Sequence, residues 1–256
     1  MIDPRAVISP QAKLAADVSV GPFTVIGADV EIGEGTWVGP HAVINGPTRI
    51  GKHNKIFQFA SLGDAPQDKK YNGEPTRLEI GDRNVFRESV TVNRGTTHDQ
   101  GVTRIGDDNL LMAYSHVAHD CQLGNKIVMS NLATLGGHVE IGDWVIMGGL
   151  SAAHQYTKIG DHCFIANNAA VTRDVPPYVM AVGQPAVPHS VNSEGLKRRG
   201  FSPEQILNIR RAYKLLYRSG IKLQLAIEQL QKISETQPEI RPFVDFIHRS
   251  TRSLVR

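Results

Sequence analysis

Aliphatic residues recur at every sixth position along most of this chain. From Ile8 the series runs through Leu14, Val20, Ile26, Ile32, Val38, Ile44, Ile50, Ile56 and Leu62. It breaks, resumes at Ile80, Phe86 and Val92, and breaks again after Asn93-Arg94-Gly95-Thr96. It then continues from Ile105 through Leu111, Val117, Leu123, Met129, Leu135, Ile141, Met147, Ala153, Ile159 and Ile165 to Val171. A period of six matches neither an α-helix nor an ordinary alternating strand. It fits a triangular coil in which each hexad gives one short strand and one corner, and its apolar residue points inward. Three hexads close a coil, and coils stack at the strand spacing of about 4.8 Å. A single coil cannot bury its own apolar side chains, so its neighbours complete the core.

The pattern predicts a parallel β-helix over residues 1–190, with extruded loops near 63–79 and 96–104 where the register breaks. Glycine often follows the inward residue, as at Gly21, Gly33, Gly51, Gly124 and Gly142. These glycines are expected to take the left-handed backbone of the corners. Pro176, Pro177, Pro185 and Pro188 then suit an extended exit. Residues 191–256 read as a helical C-terminal domain. Ser202-Pro203-Glu204-Gln205 is an N-cap, a proline at the first helical position and a capping-box glutamine. Gly220 ends that helix. A second is expected over about Leu223 to Ile233, and a third over about Pro242 to Leu254.

Composition narrows the function. Lys and Arg number 28 against 25 Asp and Glu, so the balance is too even for a protein that coats polyanions. The charge is unevenly placed, however: residues 193–256 hold 13 Lys or Arg against 6 Asp or Glu. Lys197-Arg198-Arg199 and Arg210-Arg211 cluster where the coil meets the helices, which suits an acidic protein partner. No aromatic residues interleave with the basic ones, so nucleic acid is not expected. Cys121 and Cys163 are too few for a disulfide framework and fit a reducing compartment. No apolar run reaches transmembrane length, and Met1-Ile2-Asp3-Pro4-Arg5 lacks a signal-peptide core. A cytoplasmic location is the expectation.

Candidate chemistry comes from the stacking. Residues 18 apart occupy equivalent sites on successive coils. His119, Gly137 and Gln155 share one column, Asp120, His138 and Tyr156 the next, and Ala118, Gly136 and His154 a third. His116 lies just before this strip. A histidine there suits a general base, because its pKa lies near working pH. The same histidines suit a metal such as zinc, and spacing alone leaves both readings open. The Gly137 amide, with no side chain beside it, suits an oxyanion donor. The repeat by itself also fits a structural scaffold, or a transferase that moves an acetyl group from acetyl-CoA to a small amine.

Several motifs together resemble the UDP-N-acetylglucosamine O-acyltransferase family of hexapeptide-repeat transferases. They are Gln67-Asp68-Lys69-Lys70-Tyr71-Asn72-Gly73-Glu74, His116-Val117-Ala118-His119-Asp120, Gly136-Gly137-His138, His154-Gln155 and Asn192 to Phe201. The resemblance spans the whole chain. It implies a left-handed hand for the coil, a homotrimer with sites between prisms, and no metal or other cofactor. It implies transfer of a 3-hydroxyacyl group from acyl carrier protein to the 3-hydroxyl of UDP-N-acetylglucosamine, the first step of lipid A biosynthesis. His119 would be the base, Asp120 its orienting partner and Gly137 the oxyanion donor. Asp68, Lys70, His116, His138, His154 and Gln155 would line the substrate site. Asn192, Glu194, Arg198 and Arg199 would bind the uridine diphosphate end, where an arginine fork suits phosphate oxygens. Two departures stand out. The family usually carries His at Asn93, and small glycines at Asn167-Asn168. Asn167 resembles the acyl-length ruler, and a side chain there implies a shorter acyl group.

Overall fold

The computed structural model describes residues 1–256. Three parallel sheets form the faces of a prism, with nine, eight and ten strands. Face I runs from Val7–Ile8 to Ala170–Val171, and face II from Lys13–Leu14 to Lys158–Ile159. Face III begins at Ser19–Val20 and ends in an antiparallel hairpin, Val179–Val182 with Val187–Val191. The chain visits the faces in the order I, II, III, and the register steps by one coil at a time, as in Val7 beside Val25 and Val25 beside Val43.

The inward series fills the prism. Every member from Val20 to Val171 is buried. Ile8 and Leu14 are only half-buried, because the first coil has no neighbour below it to complete its core.

The glycines hold a different place from the one expected. Left-handed backbone falls instead on the residue two beyond them, and that residue is mostly not glycine: Phe23, His53, Lys126, His138, Trp144 and His162 all have φ between 55° and 62°. Gly21 and Gly33 do not have positive φ. A Cβ on Gly21 would lie 2.7 Å from the Pro40 nitrogen, and one on Gly33 would lie 2.7 Å from the Gly51 carbonyl oxygen. These glycines let successive coils approach each other. The left-handed turn costs an ordinary residue about 1–2 kcal/mol, and the closed ladder above and below each corner holds it there.

Four helices follow: α1 Ser193–Arg198, α2 Pro203–Tyr217, α3 Leu223–Ser234 and α4 Arg241–Arg249. The α2 capping box is complete, with Ser202 and Gln205 each bonded to the other's backbone N–H. The sequence pattern does not reveal α1, which Asn192 caps by accepting from the Gly195 N–H. The last helix is also shorter than expected and ends at Arg249. The buried Asp174 carboxylate accepts from Ser250 Oγ, Thr251 N and Arg252 N. That turn stops the helix, and Leu254 instead makes a parallel bridge to Asp174. No helix is long and apolar enough to cross a membrane.

Candidate active site

The corner between faces I and II carries the histidine column. Val117 and Leu135 end face I strands on successive coils, and the chain then turns through His119-Asp120 and Gly137-His138. Both register breaks fall on this corner too. The segments after Ser61–Asp64 and Thr91–Asn93 leave face I and rejoin face II at Arg77 and Val102. Loop and column are therefore neighbours by topology.

His119 Nδ1 lies 2.9 Å from Asp120 Oδ2. A carboxylate only accepts, so Nδ1 carries the proton and Nε2 is left as the basic nitrogen. Asp120 is buried and accepts from the Thr96 backbone N–H at 2.9 and 3.0 Å and from Thr96 Oγ1 at 2.7 Å. Its own N–H donates to Thr103 Oγ1. Burial works to raise the Asp120 carboxyl. The bonds from His119 and Thr96 outweigh it, and the group sits below the usual carboxylate range. Asp120 is thus held ionised beside the imidazole.

The surrounding residues extend this cluster. The His138 ring meets the His119 ring edge-on at 5.0 Å and stacks on Tyr156 at 4.3 Å. Its Nδ1 lies 2.9 Å from Asp99 Oδ2 in the second loop. His116 pairs with Thr91 Oγ1 at 2.7 Å, and burial followed by the nearby His119 pushes its pKa down. His154 and Gln155 lie exposed one coil beyond Gly137. The Gln155 carbonyl accepts from Arg252 in the C-terminal segment.

Gly137 has two distinct features. A Cβ there would come within 2.5 Å of His119 Cε1, so only glycine leaves room for the imidazole. Its N–H has no acceptor within the chain. The amide is available to an incoming oxygen next to the His119 ring.

His119, Asp120 and His138 are also the one group that could hold a metal ion, with ligand atoms within 4.8 Å of one another. Hydrogen bonding competes for that donor set. Asp120 Oδ2 already takes bonds from Thr96 and His119, and His119 Nδ1 is committed to it. The arrangement fits an acid–base pair better than an open ligand cage.

The other expected site residues lie elsewhere on the chain. Asp68 turns back to cap the Lys70 N–H, and Lys70 is exposed, on the first loop at the same corner. Asn192, Glu194, Arg198 and Arg199 gather beside the II–III corner. Asn192 is buried, bonding the His162 carbonyl as well as capping α1. Arg198 is exposed and paired with Glu194. Arg199 points inward, donating to His162 Nδ1 at 3.1 Å and lying over the Trp144 ring. Asn167 sits at the III–I corner, where its Oδ1 accepts from the Gly149 N–H at 3.0 Å. The expected residues thus occupy three different corners. Asn93, at the base of the first loop, is buried and donates to the Ala65 carbonyl.

Sequence reasoning missed Thr96, Asp99 and Arg94. Arg94 pins the first loop through the Gly46 and Gly63 carbonyls and Tyr71 Oη. A signal was available: both breaks follow inward residues of face I, Leu62 and Val92, in the phase that later carries the histidines.

A stacked parallel prism with a His–Asp pair beside a free glycine amide fits the class of hexapeptide-repeat acyltransferases. Comparison with known proteins narrows this further. Residues 174–255 match the family model described as UDP-N-acetylglucosamine O-acyltransferase, domain 2. The chain is 55% identical over 260 residues to the acyl-[acyl-carrier-protein]–UDP-N-acetylglucosamine O-acyltransferase of Janthinobacterium sp. (strain Marseille), covering 100% of this chain and 99% of that one. Its counterpart in Thiobacillus denitrificans is 54% identical over the same shares. The solved UDP-N-acetylglucosamine acyltransferase of Francisella novicida superposes with a TM-score of 0.98 at 42% identity, covering 100% of this chain and 94% of that one. This chain belongs to the UDP-N-acetylglucosamine O-acyltransferase family. Its fold is a left-handed parallel β-helix followed by a helical C-terminal region.

Proposed function

We propose that this protein transfers a 3-hydroxyacyl group from acyl carrier protein to the glucosamine 3-hydroxyl of UDP-N-acetylglucosamine, the first step of lipid A biosynthesis. The observation that carries the reading is the His119–Asp120 pair beside the unpartnered Gly137 amide. Full-length relatives are named for the same nucleotide sugar and carrier protein.

His119 Nε2 takes the proton of the sugar hydroxyl as its oxygen attacks the thioester carbonyl. Asp120 stabilises the imidazolium that forms. The carbonyl oxygen gains negative charge, and the Gly137 N–H donates to it. Collapse of the adduct breaks the C–S bond, and the His119 proton passes to the departing thiolate. Neither a covalent acyl-enzyme nor a metal enters this sequence.

Asp68, Lys70, His116, His138, His154 and Gln155 line the sugar and thioester end. Asn192, Glu194, Arg198 and Arg199 receive the uridine diphosphate, and Asn167 limits the acyl chain. These residues lie on three corners of one prism, so the reading requires neighbouring chains to bring corners together. A homotrimer with C₃ closure does this. The III–I corner supports it, because Phe23, Phe59, Tyr114, Leu132 and Leu150 form an exposed apolar edge in need of cover. The acidic carrier protein docks on α2, where Arg210, Arg211, Lys214 and Arg218 line a groove of about 640 Å³ against the last strand. Two unpaired cysteines support a cytoplasmic setting.

The test is mass spectrometry of the products formed from UDP-N-acetylglucosamine and a mixture of 3-hydroxyacyl and acyl carrier thioesters. An O-acylated UDP-sugar is expected. Release of free acid only, or acylation of an amine acceptor in its place, would overturn the assignment.

A further inference from the structure

The loop from Arg94 to Gly101 touches two side chains of the histidine corner. Thr96 anchors Asp120, and Asp99 reaches the His138 ring. Four groups face that ring. Asp99 Oδ2 lies 2.9 Å from Nδ1. Asp120 Oδ2 lies 3.8 Å from Nε2. The His119 ring lies edge-on to it, and the Tyr156 ring is stacked against it.

We propose that Asp99 is a positioning residue for acyl transfer, fixing the His138 proton on Nδ1 and so reserving Asp120 for His119. The proposal rests on the function proposed above. Its argument is a competition for one oxygen. Tyr156 meets His138 through its ring face, and the His119 and His138 rings cross at 89° with no hydrogen bond between them. The acceptors that approach the His138 ring nitrogens are the two carboxylates. While Asp99 holds Nδ1–H, Nε2 carries a lone pair and makes no claim on Asp120. Without Asp99, the proton moves to Nε2, whose nearest acceptor is Asp120 Oδ2. That oxygen is the one that orients His119 Nδ1–H. A second donor on it weakens the bond that holds the base in its reactive tautomer. Asp99 is exposed and belongs to an extruded loop, so its removal leaves the prism core untouched.

The test combines kinetics with nitrogen NMR of histidine-labelled full-length protein. In the wild type, His138 should be the Nδ1–H tautomer. Asp99→Ala should shift it toward Nε2–H and lower kcat about tenfold, the size of one lost hydrogen bond to a charged group. The KM for UDP-N-acetylglucosamine should stay unchanged. Asp99→Asn should restore most of both, because its Oδ1 still accepts from Nδ1–H. An Asp99→Ala protein with an unshifted His138 tautomer, or with unchanged kcat, overturns the proposal. A wild type that forms no acylated sugar would sink the enzymatic reading instead, and the NMR arm would still decide the role of Asp99 on the ring.

Discussion

His138 and His162 stand at the same rung position on two different corners. Each takes a left-handed turn, with φ of 62° and 60°, and each stacks on a tyrosine in the next coil. Their surroundings are opposite. His138 lies between the carboxylates of Asp99 and Asp120. His162 accepts from Arg199, and burial followed by that positive charge pushes its pKa down to about 4. The backbone amides differ in the same way. At the II–III corner the N–H groups of Asp107, Asn125 and Asp143 each donate to the side chain one coil on, at Asn125, Asp143 and Asp161. At the I–II corner the equivalent Gly137 N–H is left open, because Gln155 makes no such bond. A repeat supplies identical positions, and chemistry arises where the ladder is left unfinished and inserted loops bring new partners.

The largest effect should come from removing the proposed base at the open corner. His119→Ala is expected to lower turnover by about 100-fold or more, the range for loss of a general base. Circular dichroism and sedimentation should show the fold and assembly unchanged. A variant that retains near-wild-type turnover would make this corner as inert as its counterpart.

Gly137→Ala sharpens the comparison next. The backbone there tolerates alanine, but the added methyl meets the His119 ring. A displacement of that kind near the reacting atoms costs on the order of 100-fold at most. We expect a loss of kcat with little change in melting temperature. The equivalent change at the closed corner, Asn125→Ala, removes ladder bonds instead, and should lower stability with kcat retained.

Much of this contrast is legible in the sequence. The six-residue period yields the prism and the inward core, and the 18-residue column brings His119, Gly137 and His138 together. What escapes is set by contacts that periodicity does not encode. Thr96 and Asp99 lie in a break of the repeat, so no column assigns them a partner. The glycines resemble turn residues in the sequence, yet their role is close approach between coils. Asn192 and Arg199 are legible as polar groups near the prism exit. Their inward direction follows from the packing of α1 on His162 and Trp144.

His162 also predicts a pH effect on stability. The folded pKa of His162 is below its unfolded value, so the unfolded chain binds the extra proton as pH falls below about 6.5. Stability should therefore fall on acidification from about pH 6.5 to 4. His162→Gln should flatten that window in denaturant titrations. The depressed Asp120 carboxyl acts lower, where its contribution is lost as pH falls through its folded pKa. A slope that is the same in wild type and His162→Gln would mean that His162 is not buried in its neutral form.

The smallest change in total turnover should come from Asn167→Gly, which tests the third corner. Asn167 does there what Asp143 does at the closed corner: its Oδ1 accepts an amide N–H from the coil below, at Gly149. That bond draws the carboxamide over Gly148 and Gly149, occupying space along the exposed apolar edge that Leu132 and Leu150 continue. Glycine would remove the bulk and free the Gly149 amide together. If the carboxamide is the end stop of the acyl groove, competition among 3-hydroxyacyl carrier thioesters should show the preferred chain lengthening while the summed rate changes little. An unchanged length optimum would leave Asn167 as one more rung of the ladder, closing an amide as the II–III corner does, and the stop would have to be sought elsewhere.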